Sequence, residues 1–248
     1  MKDISLFIIA KNEEDKIKAC IESAKSICSE IILCDSGSID NTAKIAEQMG
    51  AKVVQHEFIG FADQKNYALS QCTGKWALSL DADEVLTKEL TEEIASIPDD
   101  TEFNGFDIHR VNYFLGGRMN HSGLNNEYIL RLIRIGSGKY RDVLVHEGLE
   151  ISGKKGRLKN EMLHYSYADL ENYFNKFNKY TSLAAHDLKA KGKKFSFLGT
   201  IFRLPIEFLK RYVLKLGFLD GIRGFIWAAC STYYVFVKYI KLWDISRN

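Results

Sequence analysis

Ile4-Ser5-Leu6-Phe7-Ile8-Ile9-Ala10 is a short, almost continuously apolar run. A strand with one wet face alternates apolar and polar residues, whereas a strand apolar at successive positions is covered on both faces. The segment Glu13 to Cys28 follows, with Ile17, Cys20, Ile21 and Ala24 at helical spacing. The pattern then repeats. Glu30 to Cys34 reads as a second strand that closes on Asp35-Ser36-Gly37-Ser38. Asn41 to Met49 reads as a helix, capped by Ser38 or Asp40 and stopped by Gly50. Lys52 to His56 is a third strand, Ala62 to Cys72 a third helix and Lys75 to Leu80 a fourth strand. This alternation predicts an α/β fold: a doubly wound, Rossmann-like, mostly parallel sheet with helices on both faces.

In such sheets ligands bind just beyond the carboxyl ends of the strands. Asn12, Asp35 and Asp81 all follow predicted strand ends and should line one crevice. The fourth strand is the most informative: Trp76-Ala77-Leu78-Ser79-Leu80-Asp81-Ala82-Asp83-Glu84 stops abruptly on acids. Burying these carboxylates costs several kcal/mol unless a positive partner shares the site, and a divalent cation is a common remedy. Oxygen ligands of this kind suit Mg²⁺ or Mn²⁺. The plainer alternative is a strand end followed by a capped helix, with Asp83 or Thr87 before Lys88 to Ser96 and Glu84 as a helix-start charge.

Beyond Ile97-Pro98 the pattern changes. Gly105 to Phe114 and Tyr128 to Ile135 alternate like antiparallel strands, joined by a Gly- and Asn-rich loop from Gly116 to Asn126 that reads as a substrate-facing extension. Leu170 to Lys191 reads as a helix, and Ile201 to Tyr239 as one or two more, broken near Gly217 and Gly221. The expected organisation is one α/β domain over residues 1–165, with a parallel half at 1–97 and a substrate-facing half at 98–165. A helical, amphipathic extension follows over residues 166–248.

A chain of 248 residues that is 46% hydrophobic, with only two prolines, can build one core plus an appendage and is not linker-rich. Its net charge of +2 is unevenly spread. From Thr200 onward eight Lys or Arg face three acids, so this segment should meet something anionic. Gly224 to Val237 is uncharged and aromatic, but a span of the bilayer needs about twenty apolar residues. An interfacial helix fits better, preceded by Phe202, Ile206, Leu209, Val213 and Leu216 with Arg203, Lys210, Arg211 and Lys215 between them. The same helices could instead pack on the catalytic domain or on another subunit, giving an oligomer. Nucleic acid is not expected, since no recognition motif accompanies the basic residues. The five cysteines make no C-x-x-C and read as reduced core thiols. With no signal-peptide h-region in view, a cytoplasmic setting follows.

Four ordered motifs now add up: Ile8-Ile9-Ala10-Lys11-Asn12-Glu13-Glu14, Asp35-Ser36-Gly37-Ser38-Ile39-Asp40, Lys65-Asn66-Tyr67-Ala68 and Asp81-Ala82-Asp83. Together they resemble glycosyltransferase family 2, the inverting enzymes of GT-A fold. Val145-His146-Glu147 and the basic, aromatic tail resemble the bacterial branch that builds the lipopolysaccharide core. The resemblance implies transfer of a hexose, glucose foremost, from a UDP-sugar to a lipid-linked glycan such as the lipopolysaccharide inner core. That chemistry would run on the inner face of the cytoplasmic membrane.

The resemblance also implies residue roles. Asp35 would meet the nucleobase, and Ala10, Asn12, Glu13, Lys65, Asp81 and Ala82 would surround the nucleotide sugar. Asp83, Asp81 and His146 would hold Mg²⁺ or Mn²⁺, with Asp81 alternatively serving ribose or donor sugar. Glu147 would be the general base, with Asp142 second. Arg131 and Arg134 would grip phosphates or an anionic acceptor, or simply lie on a solvated strand face. His164, His186, His109 and His121 have no ligand spacing and receive no role. Two competing readings are a nucleotidyltransferase, which usually carries a Gly-rich phosphate loop that Ala10 to Glu14 lacks, and a catalytically silent scaffold that binds a partner.

Overall fold

The structure is a computed structural model that describes residues 3–125, 127–141, 148–167 and 169–247. The chain divides into two compact units, Met1–Arg110 with Glu127–His164, and Val111–Asn126 with Tyr165–Asn248.

In the first unit β1 (Ile4–Ala10), β2 (Glu30–Asp35), β3 (Lys52–Gln55) and β4 (Trp76–Asp81) alternate with α1 (Ile17–Ala24), α2 (Thr42–Gln48) and α3 (Phe61–Ser70). The strands lie in the order β3-β2-β1-β4, all parallel. Because side chains alternate across a strand, β1 feeds two cores. Ile4, Leu6 and Ile8 pack with Ile17 and Ile21 of α1 and Ala46 of α2. Phe7 packs on the other face with Ala62 and Ala68 of α3. That two-sided burial is why β1 is apolar at nearly every position.

After β4 come β5 (Glu84–Leu86), α4 (Lys88–Ser96), β6 (Phe103–Phe114), β7 (Gly117–Arg118), β8 (Glu127–Arg134), β9 (Gly138–Arg141), β10 (Gly148–Ile151) and β11 (Lys154–Tyr167). The sheet continues β4-β8-β6-β11-β5, with β4·β8, β6·β8 and β11·β5 antiparallel. The expected antiparallel pair therefore extends the parallel sheet. β9 and β10 form a separate two-stranded ladder. Thr87 is the N-cap of α4, its hydroxyl accepting from the Leu90 N–H.

Two differences from the sequence expectation have local causes. The first helix starts at Ile17, because residues 12–14 are drawn into hydrogen bonds with the loop after β2. Glu84 begins a strand, because its carboxylate is claimed by the buried Arg131 and the main chain must run beside β11 to place it.

In the second unit α5 (Leu170–Ala190) and α7 (Gly221–Ile245) pack around a core of Phe114, Met119, Tyr173 and Phe177, and α6 (Phe197–Leu209) lies against α7. Trp227, Tyr234 and Val237 of α7 pack against that core, so part of the aromatic stretch expected at a membrane surface is internal packing. A π-helical turn, Lys210–Leu214, and a short 3₁₀ turn, Gly217–Asp220, join α6 to α7. Gly224 touches Gly217 so closely that a Cβ would fall onto the Gly217 carbonyl. The Asp220 carboxylate accepts from the N–H groups of Asn120 and His121 and from the Ser122 hydroxyl, which fixes the loop that the sequence suggested as substrate-facing. No helix among the described residues is long and apolar enough to cross a membrane. All five cysteines are free, and burial pushes the Cys28 and Cys72 thiols up to about 12.

Leu78 of β4 is fully buried in the core shared by α1 and α4. Leu78→Ala is expected to lower the unfolding free energy by about 2–5 kcal/mol, measured as a shift in the urea midpoint.

Candidate active site

The parallel register aligns three strand ends. Ala10 of β1 pairs with Asp35 of β2, and Ile9 pairs with Asp81 of β4. Two strand spacings therefore separate the Asp35 and Asp81 backbones, about 10 Å.

The Asp35 side of this edge is a knitted pair of loops. Asp35 is buried, and its Oδ2 accepts from the N–H groups of Gly37 and Ser38 while Oδ1 accepts from the Ser38 hydroxyl. The Ser38 hydroxyl in turn accepts from the Asn12 N–H, and Asn12 Oδ1 accepts from the Ile39 N–H. Asn12 sits at φ 57°, a left-handed conformation that Asn tolerates better than most residues. It thus ties the β1 loop to the β2 loop and does not cap α1. Glu13 donates its N–H to Thr42 and pairs its carboxylate with Lys16.

On the Asp81 side, charges are interlocked. Arg131 of β8 is 4% exposed, and one terminal nitrogen lies 2.6 Å from both Asp81 Oδ2 and Glu84 Oε1. Lys65 of α3, 2% exposed, reaches Asp81 Oδ1 at 2.9 Å. Glu84 is fully buried, and its second oxygen accepts from the Asp81 N–H. Arg110 adds a longer contact to Glu84 and a 2.6 Å bridge to Glu127. Burial pulls the Asp81 carboxyl upward, but the charges of Arg131 and Lys65 outweigh this and hold it far below the usual carboxylate range. Burial likewise opposes charge on Arg131, and Asp81 and Glu84 overcome it, so the guanidinium is held charged.

Asp83 is placed differently. Its Oδ1 lies 3.3 Å from Nε2 of His164, which pairs opposite Glu84 in the β5·β11 ladder. The distance is that of a direct ion pair, and it is also close to the ~3 Å between neighbouring ligands of one octahedral ion, so the carboxylate and imidazole could share a divalent cation, Mn²⁺ suiting a nitrogen ligand better than Mg²⁺. Among the described residues no group of three or more His, Cys, Asp or Glu could hold a metal. An ion here would take its other ligands from water and substrate oxygens, as Mg²⁺ usually does.

The structure thus brings Ala10, Asp35, Lys65, Asp81, Ala82, Asp83 and Arg131 to one edge of the sheet or its supporting layer. It turns two of them inward: Lys65 and Arg131 spend charge on Asp81. Arg134 is elsewhere, since it pairs with Trp76 at the opposite end of β4, stacks over that indole at 4.6 Å and donates to the Thr101 carbonyl. Glu147, Asp142 and His146 lie outside the described residues. Their flanks are fixed, because Gly148 pairs with Arg141, and Asn66 of α3 exchanges hydrogen bonds with both main-chain groups of Tyr140. Sequence reading missed His164 and Glu84. His164 stands 81 residues from Asp83 and enters through an unforeseen strand, so no spacing signal existed.

Residues 5–157 match the family model described as glycosyl transferase family 2. The lipopolysaccharide core biosynthesis glycosyltransferase LpsC of Rhizobium meliloti is 34% identical over 97% of this chain and 92% of its own length. An uncharacterized glycosyltransferase of Rickettsia typhi is also 34% identical, over 99% of this chain and 88% of its own. Among solved structures, glucosyl-3-phosphoglycerate synthase from Mycobacterium tuberculosis, crystallised with Mn²⁺ and UDP-glucose, aligns over 47% of this chain and 45% of that one. The identity is 23% and the TM-score 0.37.

Asp81 stays ionised in the fold well below about pH 3.9, where an unfolded aspartate takes up its proton. It therefore contributes stability above that pH and loses the contribution as pH falls toward its depressed folded value. Between about pH 4 and pH 2, urea unfolding is expected to show stability falling less steeply with acid in Asp81→Asn than in the parent chain.

Proposed function

The chain belongs to glycosyl transferase family 2, and on that premise we propose that it is an inverting, metal-dependent hexosyltransferase with a UDP-sugar donor and a lipid-linked glycan acceptor. The observation that carries this reading is the register that sets Asp35 and the Asp81-Asp83 pair on either side of the β1 terminus. A diphosphate-linked sugar has a base at one end and a charged, metal-binding group further along. This sheet edge offers a matching acceptor at each position.

Asp35 uses three acceptor positions on its own loop. A carboxylate has about four, which leaves one for an imide N–H such as that of uracil. Asp83 and His164 would hold Mg²⁺ or Mn²⁺, which supplies charge neutralisation on the departing diphosphate. Asp81, fixed on both oxygens by Lys65 and Arg131, orients donor sugar or ribose hydroxyls. In this assignment Lys65 and Arg131 are positioning residues. Glu147, with Asp142 second, is proposed as the base that takes the acceptor hydroxyl proton on the face opposite the leaving group. In this reading residues 1–97 bind the nucleotide sugar, 98–165 face the acceptor, and the helical extension of 166–248 associates with the membrane. The name of the LpsC relative supports lipopolysaccharide core as the acceptor class, and glucose is the hexose to try first as donor. A cytoplasmic protein resting on the inner membrane face follows from that acceptor class.

Thermal shift with UDP-, GDP- and ADP-hexoses, with and without Mn²⁺, tests the donor. At a hundredfold excess over its dissociation constant a ligand adds about 2.7 kcal/mol, or roughly 5–10 °C for a chain of this size. That rise is expected for a UDP-hexose with Mn²⁺, and an equal rise with GDP-sugars would remove the uracil assignment. In UDP-release assays Asp83→Asn is expected to lower kcat/KM by about a hundredfold, some 2.7 kcal/mol of barrier. His164→Ala should raise the Mn²⁺ concentration for half-maximal rate by about tenfold. Full turnover by Asp83→Asn at saturating Mn²⁺ would end the metal assignment.

A further inference from the structure

An amphipathic helix on a protein surface ordinarily turns its large apolar side chains inward. The α6 helix does the opposite over one face. Thr200 is buried and Leu204 and Phe208 are partly covered, Phe208 meeting Phe225 of α7 edge-on at 5.8 Å. The outward face carries Leu198, Phe202 and Ile206 at a spacing of four, between 63% and 68% exposed. The same exposure continues past the helix, at Leu214 in the π turn and Ile222 at the start of α7, 76% and 69%. More than half of the exposed large apolar side chains described for this chain fall between Phe197 and Phe225. Scattered exposed apolar residues need no explanation, but a concentration of this kind marks a surface with a partner.

The charges around it identify the partner. Lys193, Lys194, Arg203, Lys210, Lys215 and Arg223 are all exposed. The acids of the same stretch, Glu207 and Asp220, are turned to internal duties: Glu207 pairs with Arg211 and Lys210, and Asp220 holds the 120–122 loop. Arg203 and Arg223 also donate to main-chain carbonyls, but both stay exposed, and Lys193, Lys194 and Lys215 add further exposed charge. The exposed face thus combines large apolar residues with cations and presents almost no anion. That is the composition of an interfacial helix on anionic lipid. We propose that α6, the π turn and the start of α7 form the docking face of this protein for an anionic bilayer surface, with α7 as the packed strut behind it. The inference deepens the lipid-linked acceptor reading and rests on it for its biological sense, but not for its physics. The docking element is α6 and its continuation, whereas the sequence pointed first to the aromatic stretch of α7.

Flotation of the full chain tests it, using vesicles of phosphatidylcholine alone and of phosphatidylcholine mixed with phosphatidylglycerol. The chain should float with the mixed vesicles, about tenfold less with the neutral ones, and less as salt is raised. Phe202→Glu combined with Ile206→Glu should reduce flotation about tenfold or more, while Leu183→Glu on α5, also exposed, should not. Both changes are at surface positions, and an unchanged melting temperature confirms that the fold is kept. Absence of flotation by the parent chain, or equal flotation by the double variant, overturns the proposal. So does a solution dimer that the double variant dissolves while neither protein binds vesicles. UDP-hexose hydrolysis without acceptor separates the two readings. A chain that hydrolyses donor but never floats loses the docking face alone, and one that floats but neither binds nor hydrolyses a nucleotide sugar keeps it.

Discussion

The interaction on which the catalytic unit turns is the Arg131 guanidinium between Asp81 and Glu84. Glu84 is fully buried, and a buried carboxylate costs several kcal/mol unless its partner is equally well placed. Arg131 neutralises it and, through the same nitrogen, holds Asp81 at the mouth of the sheet. The pair therefore sets more than a local contact. β5 must run beside β11 to deliver Glu84, β8 must sit antiparallel on β4 to deliver Arg131, and α3 must cover the sheet at the height of Lys65. Three elements distant in sequence are placed by one cluster of charge. Such a cluster is weak evidence for stability, since well-packed apolar residues could replace it at little cost. Its effect here is to hold Asp81, which stays partly exposed, in one orientation.

How far the sequence could reveal this depended on the range of the interaction. Strands buried on both faces and helices with a single apolar stripe declare themselves within ten residues, and β1 to β4 with α1 to α3 were legible for that reason. The acids at 81–84 were legible as a cluster because they are adjacent. Their individual roles were not, since each is decided by a residue brought from elsewhere: Asp81 by Lys65 and Arg131, Asp83 by His164, Glu84 by Arg131 and Arg110. Glu84 reads as a helix-start charge until the cations that bury it are known. His164 carries no local signal at all, as its position in β11 and opposite Glu84 is a property of the sheet register. Arg131 and Arg134, three apart and chemically alike, go to opposite ends of β4 because of strand pairing that no spacing rule encodes.

The second unit shows the converse. Both the α6 and α7 stretches are apolar and basic, and periodicity alone treats them alike. Packing distinguishes them: α7 has α5 and α6 to lie against, while the best-covered residues of α6 are Thr200, Leu204 and Phe208, with Arg203 laid over Tyr239 of α7. Which apolar face stays outside is settled by the number of helices available to cover it, a quantity fixed only when the whole unit is assembled.

One turn of α3 carries a further consequence. Lys65 and Asn66 are adjacent, and they face different tasks: Lys65 grips Asp81, and Asn66 clamps the main chain of Tyr140 in β9. The Tyr140 ring also lies 5.5 Å from the Lys65 ammonium. The strand leading to residues 142–147 and the carboxylate at the sheet edge are thus geared to a single rigid lever. Contacts already in place thus join β9 to Asp81 through one turn of α3. Coupling between β9 and the sheet edge would then need no moving domain, only the stiffness of two consecutive residues in a helix.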